Sequence, residues 1–134
     1  MTSLVVVEGI GRVYADKLRT IGISTCEKLL ARGASPHGRK EIADKTGIAG
    51  KAILEWVNHV DLFRIKGVQQ GYASLLEEAG VDTVPELAQR NAANLHEKIV
   101  TVNRVKNLVR QLPTQVAVAG WIEQARHLPR VITY

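Results

Sequence analysis

The chain has 134 residues, of which 46% are hydrophobic and 23% are charged, and this balance excludes an intrinsically disordered protein. Aromatic residues make up only 4% of the sequence, so Leu, Val, Ile and Ala must fill the core, and these residues favour helix-on-helix packing. The formal net charge of +5 favours phosphate-rich partners. The single cysteine, Cys26, excludes an internal disulfide framework and fits a reducing compartment.

The start of the sequence does not resemble a targeting segment. It has no basic stretch, and its only apolar run covers residues 4–7. A secretory signal needs both features, and a membrane span needs about 20 apolar residues. We therefore expect a cytoplasmic protein that does not use a membrane.

Apolar periodicity and helix-end residues predict a chain of helices. Gly22 and Gly47 are placed to end two of them, and Ser24 followed three residues later by Glu27 is typical of a capping box. The predicted helices cover 12–21, 25–31, 39–46 and 51–60 in the first half, and 70–79, 85–89, 92–103, 105–112 and 115–127 in the second half.

The two halves of the sequence are copies of one another. The segment G-I-G-R-V-Y-A that begins at Gly9 recurs 58 residues later as G-V-Q-Q-G-Y-A from Gly67. The segment around Trp56 recurs 65 residues later around Trp121, so the second copy carries an insertion of about seven residues. Self-similarity at a fixed offset is the signature of a repeated structural unit.

This repeat predicts an all-α protein with copy one over 1–63 and copy two over 64–134. No Pro/Ser-rich linker separates the copies, so we expect them to pack together. The β-branched segments 4–7 and 131–133 are candidates for a short β pairing of the termini. The equivalent positions of Trp56 and Trp121 favour core packing over stacking on bases.

The glycines before the first predicted helix are typical of a phosphate-binding turn. Gly9 and Gly11 leave the backbone uncovered, and the amides at the start of a helix can hold a phosphate. This G-I-G pattern resembles the helix-hairpin-helix element of DNA repair and recombination proteins. The resemblance implies that hairpin amides grip DNA phosphates without reading sequence, and that Ile10 packs between the helices.

A second hairpin, over 45–51, joins two short helices of copy one. Each copy is therefore similar to the N-terminal helix-hairpin-helix domain of strand-exchange recombinases. The whole chain further resembles a bacterial family of unknown function that is built from a duplicated unit of this kind.

The predicted function is non-enzymatic, sequence-independent DNA binding by copy one, through hairpin amides and nearby basic side chains. The residues predicted to contact DNA are Gly9, Ile10, Gly11, Arg12, Lys17, Lys45, Gly47, Ile48, Gly50 and Lys51. A protein-interaction or scaffold module without a nucleic-acid ligand is the alternative, and in that case the basic residues are simply a solvated surface.

Copy two departs from the hairpin pattern. Gln69 replaces the second hairpin glycine, and residues 104–107 replace the second hairpin. Residues 1–67 carry 11 Lys/Arg against 7 Asp/Glu, whereas residues 68–134 carry 7 against 6. Both features make copy one the preferred place for an anion.

No motif predicts catalysis, a metal or a cofactor. The segment before Gly9 and Gly11 resembles a strand that enters a dinucleotide loop, but Tyr14 stands where the third glycine belongs. The four histidines lack metal-ligand spacing, and Cys26 lies in a predicted helix without a nearby histidine. We therefore expect no enzyme, no metal site and an unreactive thiol.

Overall fold

The computed structural model describes residues 2–134, which form eight α-helices. The helices are α1 (Arg12–Arg19), α2 (Cys26–Arg32), α3 (Pro36–Thr46), α4 (Gly50–Leu62), α5 (Gln70–Glu78), α6 (Val84–Ala88), α7 (Ala92–Lys106) and α8 (Gln115–Arg126). This described part of the chain contains no β-strand, and one antiparallel bridge joins Ser3 to Thr25. The predicted all-α class is confirmed.

The chain divides into two compact units. Unit 1 contains the residues up to Asp61 together with Val131–Tyr134, and unit 2 is Leu62–Arg130. Helices α1 to α3 and nearly all of α4 thus lie in unit 1, whereas α5 to α8 lie in unit 2.

The core of unit 1 is aliphatic. Each of its helices has apolar side chains with no exposed surface. These include Leu18 on α1, Leu29 on α2, Ile42 on α3, and Ile53 and Val57 on α4. Helix α3 packs against both α1 and α2. Because aliphatic residues recur at helical spacing on each element, the unit closes without a sheet.

The core of unit 2 repeats this design with its own helices. Leu76 on α5, Leu87 on α6, Leu95 and Ile99 on α7, and Ile122 on α8 belong to one buried cluster. Helix α8 packs against α6 and α7, and α5 packs against α7. Helix α7 has 15 residues against 11 in α3, so part of the inserted length lengthens this helix.

Two helices begin at capping residues that the sequence analysis did not identify. Thr25, not Ser24, caps α2, because the Thr25 hydroxyl accepts the backbone N–H of Lys28 at 3.2 Å. Glu27 does not complete a capping box, since its carboxylate accepts the N–H of Thr2 at 2.7 Å. Helix α3 begins at Pro36 instead of residue 39, because Ser35 caps it and proline suits the first helical position.

The helix predicted over 105–112 is wrong. Helix α7 continues to Lys106 and ends at Asn107, whose φ of 50° lies in the left-handed region. The Asn103 side chain then takes the place of helical hydrogen bonds. Its amide oxygen accepts the N–H of Val109 at 3.0 Å, and its amide nitrogen donates to the Val109 carbonyl at 3.1 Å. Residues 107–114 are therefore a loop.

The β pairing of segments 4–7 and 131–133 is also wrong. Residues Leu4–Val6 form a short 3-10 helix, and Leu4 is completely buried. The Thr133 N–H donates instead to the carbonyl of Ala34, at 2.8 Å, within unit 1. Segment 4–7 thus begins as a 3-10 helix, and segment 131–133 bonds to the loop before α3 instead.

Candidate nucleic-acid interface

The first hairpin of unit 1 leads directly into α1. Gly9 has a φ of 94°, Ile10 is 3% exposed, and Gly11 is the residue before the helix. No side chain in the described part of the chain caps α1. The first amides of this helix therefore face solvent beside a residue that has no side chain.

Gly9 is required by the fold for two independent reasons. Its positive φ lies in a region that L side chains rarely adopt. A Cβ at this position would also lie 3.0 Å from Nε1 of Trp56. Trp56 is 5% exposed, and its ring lies 5.2 Å from that of Tyr14, with an angle of 56° between the planes. The predicted core position of Trp56 is confirmed.

Gly11 and Gly50 are not required by the fold. Gly11 has extended backbone, with φ −86° and ψ −175°, and any residue adopts this conformation. A Cβ at either glycine would meet no heavy atom of residues 2–134 within 4 Å, chain neighbours aside. Both glycines are exposed at the start of a helix, Gly11 before α1 and Gly50 as the first residue of α4.

The second hairpin of unit 1 connects α3 to α4. Gly47 ends α3 with a φ of 76°, and Ile48 is buried at 4% exposure. The Ile48 N–H donates to the hydroxyl of Thr46 at 3.2 Å. Gly50 and Lys51 then open α4 and are both exposed. A buried aliphatic residue between two glycines thus occurs in both hairpins.

The four predicted basic residues differ in their surroundings. Arg12 and Lys51 are exposed in the first turns of α1 and α4. The Lys17 ammonium lies 5.8 Å from the centre of the Tyr14 ring. Lys45 is bound to Glu41, with 3.0 Å between Nζ and Oε1, and this hydrogen bond holds the pKa of the Glu41 carboxyl below its usual value.

The charge excess does not follow the boundary between the units. Unit 1 contains nine Lys/Arg and seven Asp/Glu, whereas unit 2 contains nine and six. Arg64 and Lys66, which the sequence analysis counted with the first half, lie in unit 2. Net charge therefore does not favour unit 1 over unit 2 as the place where an anion binds. Only the hairpins distinguish the two units in this respect.

The first hairpin of unit 2 has the same backbone as that of unit 1. Gly67 has a φ of 94°, Val68 is 4% exposed, and Gln69 is extended, with φ −109° and ψ −174°. A Cβ at Gly67 would lie 3.1 Å from Nε1 of Trp121, which is 5% exposed. Replacing glycine by Gln69 thus places a side chain at the hairpin without changing its geometry.

The inserted loop of copy two lies beside this hairpin. The Tyr72 hydroxyl donates to the carbonyl of Gln111 at 3.0 Å, and a Cβ at Gly71 would lie 3.1 Å from Cγ1 of Val109. The loop 107–114 thus contacts the first turn of α5, whereas only residues 47–49 separate α3 from α4 in unit 1. The second hairpin of copy two is consequently replaced by Asn107 in the left-handed region and the loop that follows it.

The remaining reactive side chains of residues 2–134 form no metal-binding cluster. Cys26 is 1% exposed, and its burial, with a smaller effect of Glu27, raises the pKa of its thiol to about 11. The part of the chain that the structure describes contains no group of three or more His, Cys, Asp or Glu side chains suited to a metal ion. None of its helices is long and apolar enough to cross a membrane.

The sequence analysis missed buried ionisable side chains, among them Arg39. Arg39 is 8% exposed and donates to the carbonyls of Gly33, at 2.9 Å, and Thr133, at 2.8 Å. A charged residue three positions before the buried Ile42, on the same helix face, is the pattern that signals such a group. Its partners are backbone carbonyls, one of them 94 residues away, and sequence spacing does not reveal them.

A family model covers most of the chain. The model of DUF4332, a domain of unknown function, matches residues 8–128. The chain belongs to the DUF4332 family. The match includes both hairpins and both tryptophans, so the duplicated unit lies within the family domain. No curated protein and no solved structure matches the chain.

Proposed function

We propose that this DUF4332 chain is a non-enzymatic protein that binds DNA phosphates without reading base sequence, through helix-hairpin-helix elements of unit 1. The amides that follow Gly9–Ile10–Gly11 and Gly47–Ile48–Ala49–Gly50 provide the hydrogen-bond donors. The starts of α1 and α4 also carry the positive ends of the helix dipoles, which favour an anion. The buried thiol of Cys26 fits a reducing compartment, and we place this function in the cytoplasm.

The observation that carries the proposal is the pair of glycines that the fold does not require. Gly11 and Gly50 have room for a side chain, and Gly11 has a backbone conformation that any residue adopts. Gly11 is the N-cap of α1, a position where glycine is accepted but where Ser, Thr, Asp or Asn would also satisfy a free amide with a side-chain oxygen. Without such a side chain the first amides stay uncovered, and a ligand can approach them closely.

Basic side chains add a second, weaker argument. Arg12 and Lys51 lie within the first turns of the same two helices that Gly11 and Gly50 open. Their charges are exposed, so they attract phosphate over a distance of about 10 Å at 0.1 M salt. Lys45 contributes less, since it is already paired with Glu41 in an exposed salt bridge.

The test is a fluorescence-anisotropy titration of a short labelled DNA duplex at several salt concentrations. The logarithm of the binding constant should fall with the logarithm of the salt concentration, by about 0.9 per phosphate neutralised. Gly11→Gln should lower the affinity by about tenfold to a hundredfold, the value of a lost hydrogen bond to a charged group. The change copies the sequence of unit 2, where Gln69 has the same extended backbone.

Two control variants make this test specific. Gln69→Val changes the equivalent position of unit 2, which already carries a side chain, and should leave the affinity unchanged. Lys51→Glu should weaken binding to all sequences alike and reduce the salt slope by about one. Lys98→Glu makes the same change in charge at an exposed position of α7 and should have a smaller effect. Equal losses from Gly11→Gln and Gln69→Val would contradict the assignment to unit 1.

A protein-interaction module is the second candidate, and two adjacent exposed apolar residues at the hairpin favour it. Val13 and Tyr14, in the first turn of α1, are 69% and 41% exposed, and exposed apolar side chains that lie together mark protein interfaces more often than single ones do. Absence of DNA binding at low salt would select this alternative.

A further inference from the structure

The starts of α1 and α5 are equivalent surfaces of the two units. The ring of Tyr14 lies 5.2 Å from that of Trp56, with 56° between the planes. The ring of Tyr72 lies 5.3 Å from that of Trp121, with 48° between the planes. The glycines that open the two hairpins also have the same φ of 94°. The two tyrosines therefore hold the same position in their units, and what covers one surface can be compared with what covers the other.

In unit 2 the chain itself covers this surface. The Tyr72 hydroxyl donates to the carbonyl of Gln111 at 3.0 Å, and a Cβ at Gly71 would lie 3.1 Å from Cγ1 of Val109. The side chains of Tyr72 and Val109 both pack against the buried core of the unit. Asn103 fixes the backbone of Val109 through two hydrogen bonds. A peptide segment is thus held on α5 by a tyrosine hydroxyl and by an aliphatic contact.

In unit 1 the same surface is open. Only residues 47–49 connect α3 to α4, so the covering loop has no counterpart there. Val13, at the position of Gly71, is 69% exposed, and Tyr14 is 41% exposed, whereas Tyr72 is half-buried. Exposed apolar side chains that lie together mark interaction sites. The start of α1 therefore presents the surface that a segment covers in unit 2, without that segment.

The charge of this surface indicates the chemistry of its partner. Lys17 lies one turn after Val13, and its ammonium is 5.8 Å from the centre of the Tyr14 ring, so these three side chains form one surface, the α1 face. On α5 the charges have the opposite signs. Lys106, directly before the covering loop, is paired with Glu78 of α5, with 2.8 Å between Nζ and Oε2. Electrostatic complementarity therefore requires an acidic segment on the α1 face.

We propose that the α1 face binds an acidic peptide segment of a partner protein, in the way that residues 108–111 cover α5. The Tyr14 hydroxyl donates to a backbone carbonyl of the segment, an aliphatic side chain packs on Val13, and a carboxylate pairs with Lys17. This contact is distinct from the binding of DNA phosphates, because it uses side chains of α1 and not the amides of the hairpin.

The test uses a peptide made from the covering segment itself. The probe is a fluorescein-labelled synthetic peptide of residues 105–112 that carries Lys106→Glu and Arg110→Glu, so it keeps the aliphatic residues and becomes acidic. The matched control is the same peptide with its native sequence. Fluorescence anisotropy at low salt measures the affinity of each peptide for the 134-residue chain. The acidic peptide should bind saturably and several-fold more tightly than the native peptide, because exposed ion pairs each contribute little. Equal affinities, or no saturable binding of the acidic peptide, would overturn the inference.

Two variants identify the surface. Tyr14→Phe keeps the ring against Trp56 and removes the hydroxyl, so the affinity for the acidic peptide should fall about threefold to tenfold. Tyr72→Phe is the matched control in unit 2 and should leave this affinity unchanged. Lys17→Glu should reverse the preference, so that the native-sequence peptide binds more tightly than the acidic one. Unchanged binding in Tyr14→Phe, or an unchanged preference in Lys17→Glu, would overturn the inference.

Gly11→Gln separates this contact from the proposed binding of DNA. In unit 2, Gln69 stands at the equivalent position on the surface that the loop covers, so Gly11→Gln should keep its affinity for the acidic peptide while it loses affinity for the DNA duplex. If the acidic peptide binds and the duplex does not, only the DNA proposal fails. Loss of the duplex but not of the peptide in Lys17→Glu would assign the α1 face to DNA and overturn the inference.

Discussion

Replacing Gly9 with alanine should destabilise unit 1, whereas the same replacement at Gly11 should not. At Gly9, the φ of 94° places the new Cβ in an unfavourable conformation, which costs about 1–2 kcal/mol. The Cβ would also lie 3.0 Å from the Trp56 indole nitrogen, so the buried ring must shift. We expect a total loss of about 2–3 kcal/mol in the free energy of unfolding. At Gly11, alanine lowers the entropy of the unfolded chain but is a poorer N-cap residue than glycine, so the free energy of unfolding should change by less than about 1 kcal/mol.

Urea denaturation followed by far-ultraviolet circular dichroism measures both variants. Gly67→Ala is the matched comparison in unit 2, because its φ of 94° and the 3.1 Å approach to Trp121 repeat the geometry of Gly9. Gly67→Ala and Gly9→Ala should therefore lose similar stability. A Gly11→Ala variant as unstable as Gly9→Ala would refute the distinction between a glycine that the fold requires and one that it does not.

Three further changes probe the packing of both units. Trp56→Ala and Trp121→Ala should each cost about 3–5 kcal/mol in the free energy of unfolding, and two clearly unequal urea midpoint shifts would contradict their equivalent burial. Burial raises the pKa of the Cys26 thiol from 9.0 to about 11, so at pH 8 the native thiol should react with iodoacetamide about a hundredfold more slowly than the same thiol in the urea-unfolded chain. Similar rates would show that the native thiol is accessible. Asn107→Val should lower stability by about 1–2 kcal/mol because of the left-handed backbone, whereas Asn107→Gly should not, and calorimetry distinguishes the two.

The helices and their order were predictable, because they depend on local patterns. Apolar periodicity identified eight segments that form helices, and the repeat of the Gly9 hairpin at Gly67 showed the duplication. The loop over 107–114 was not predictable. Its backbone is held by the side chain of Asn103 and by the left-handed Asn107, and the sequence there keeps an apolar helical pattern.

The candidate site was predictable in its residues but not in their roles. The glycine pattern predicted the hairpin, yet only the backbone angles separate Gly9, which the fold requires, from Gly11, which it does not. Arg39 was missed because its partners are carbonyl oxygens, which every residue carries. Contacts between distant backbone groups leave no trace in composition or spacing.

The first hairpin of each unit lies against one of the two tryptophans in the chain, Trp56 beside Gly9 and Trp121 beside Gly67. Indole fluorescence depends on the polarity and motion of its surroundings, so each tryptophan is an intrinsic fluorescent probe of the hairpin that it contacts. With Trp121 changed to phenylalanine, the remaining emission comes from unit 1 alone, and the reverse change isolates unit 2. A ligand that binds one hairpin would thus be assigned to its unit from the colour and intensity of one indole, without an attached dye.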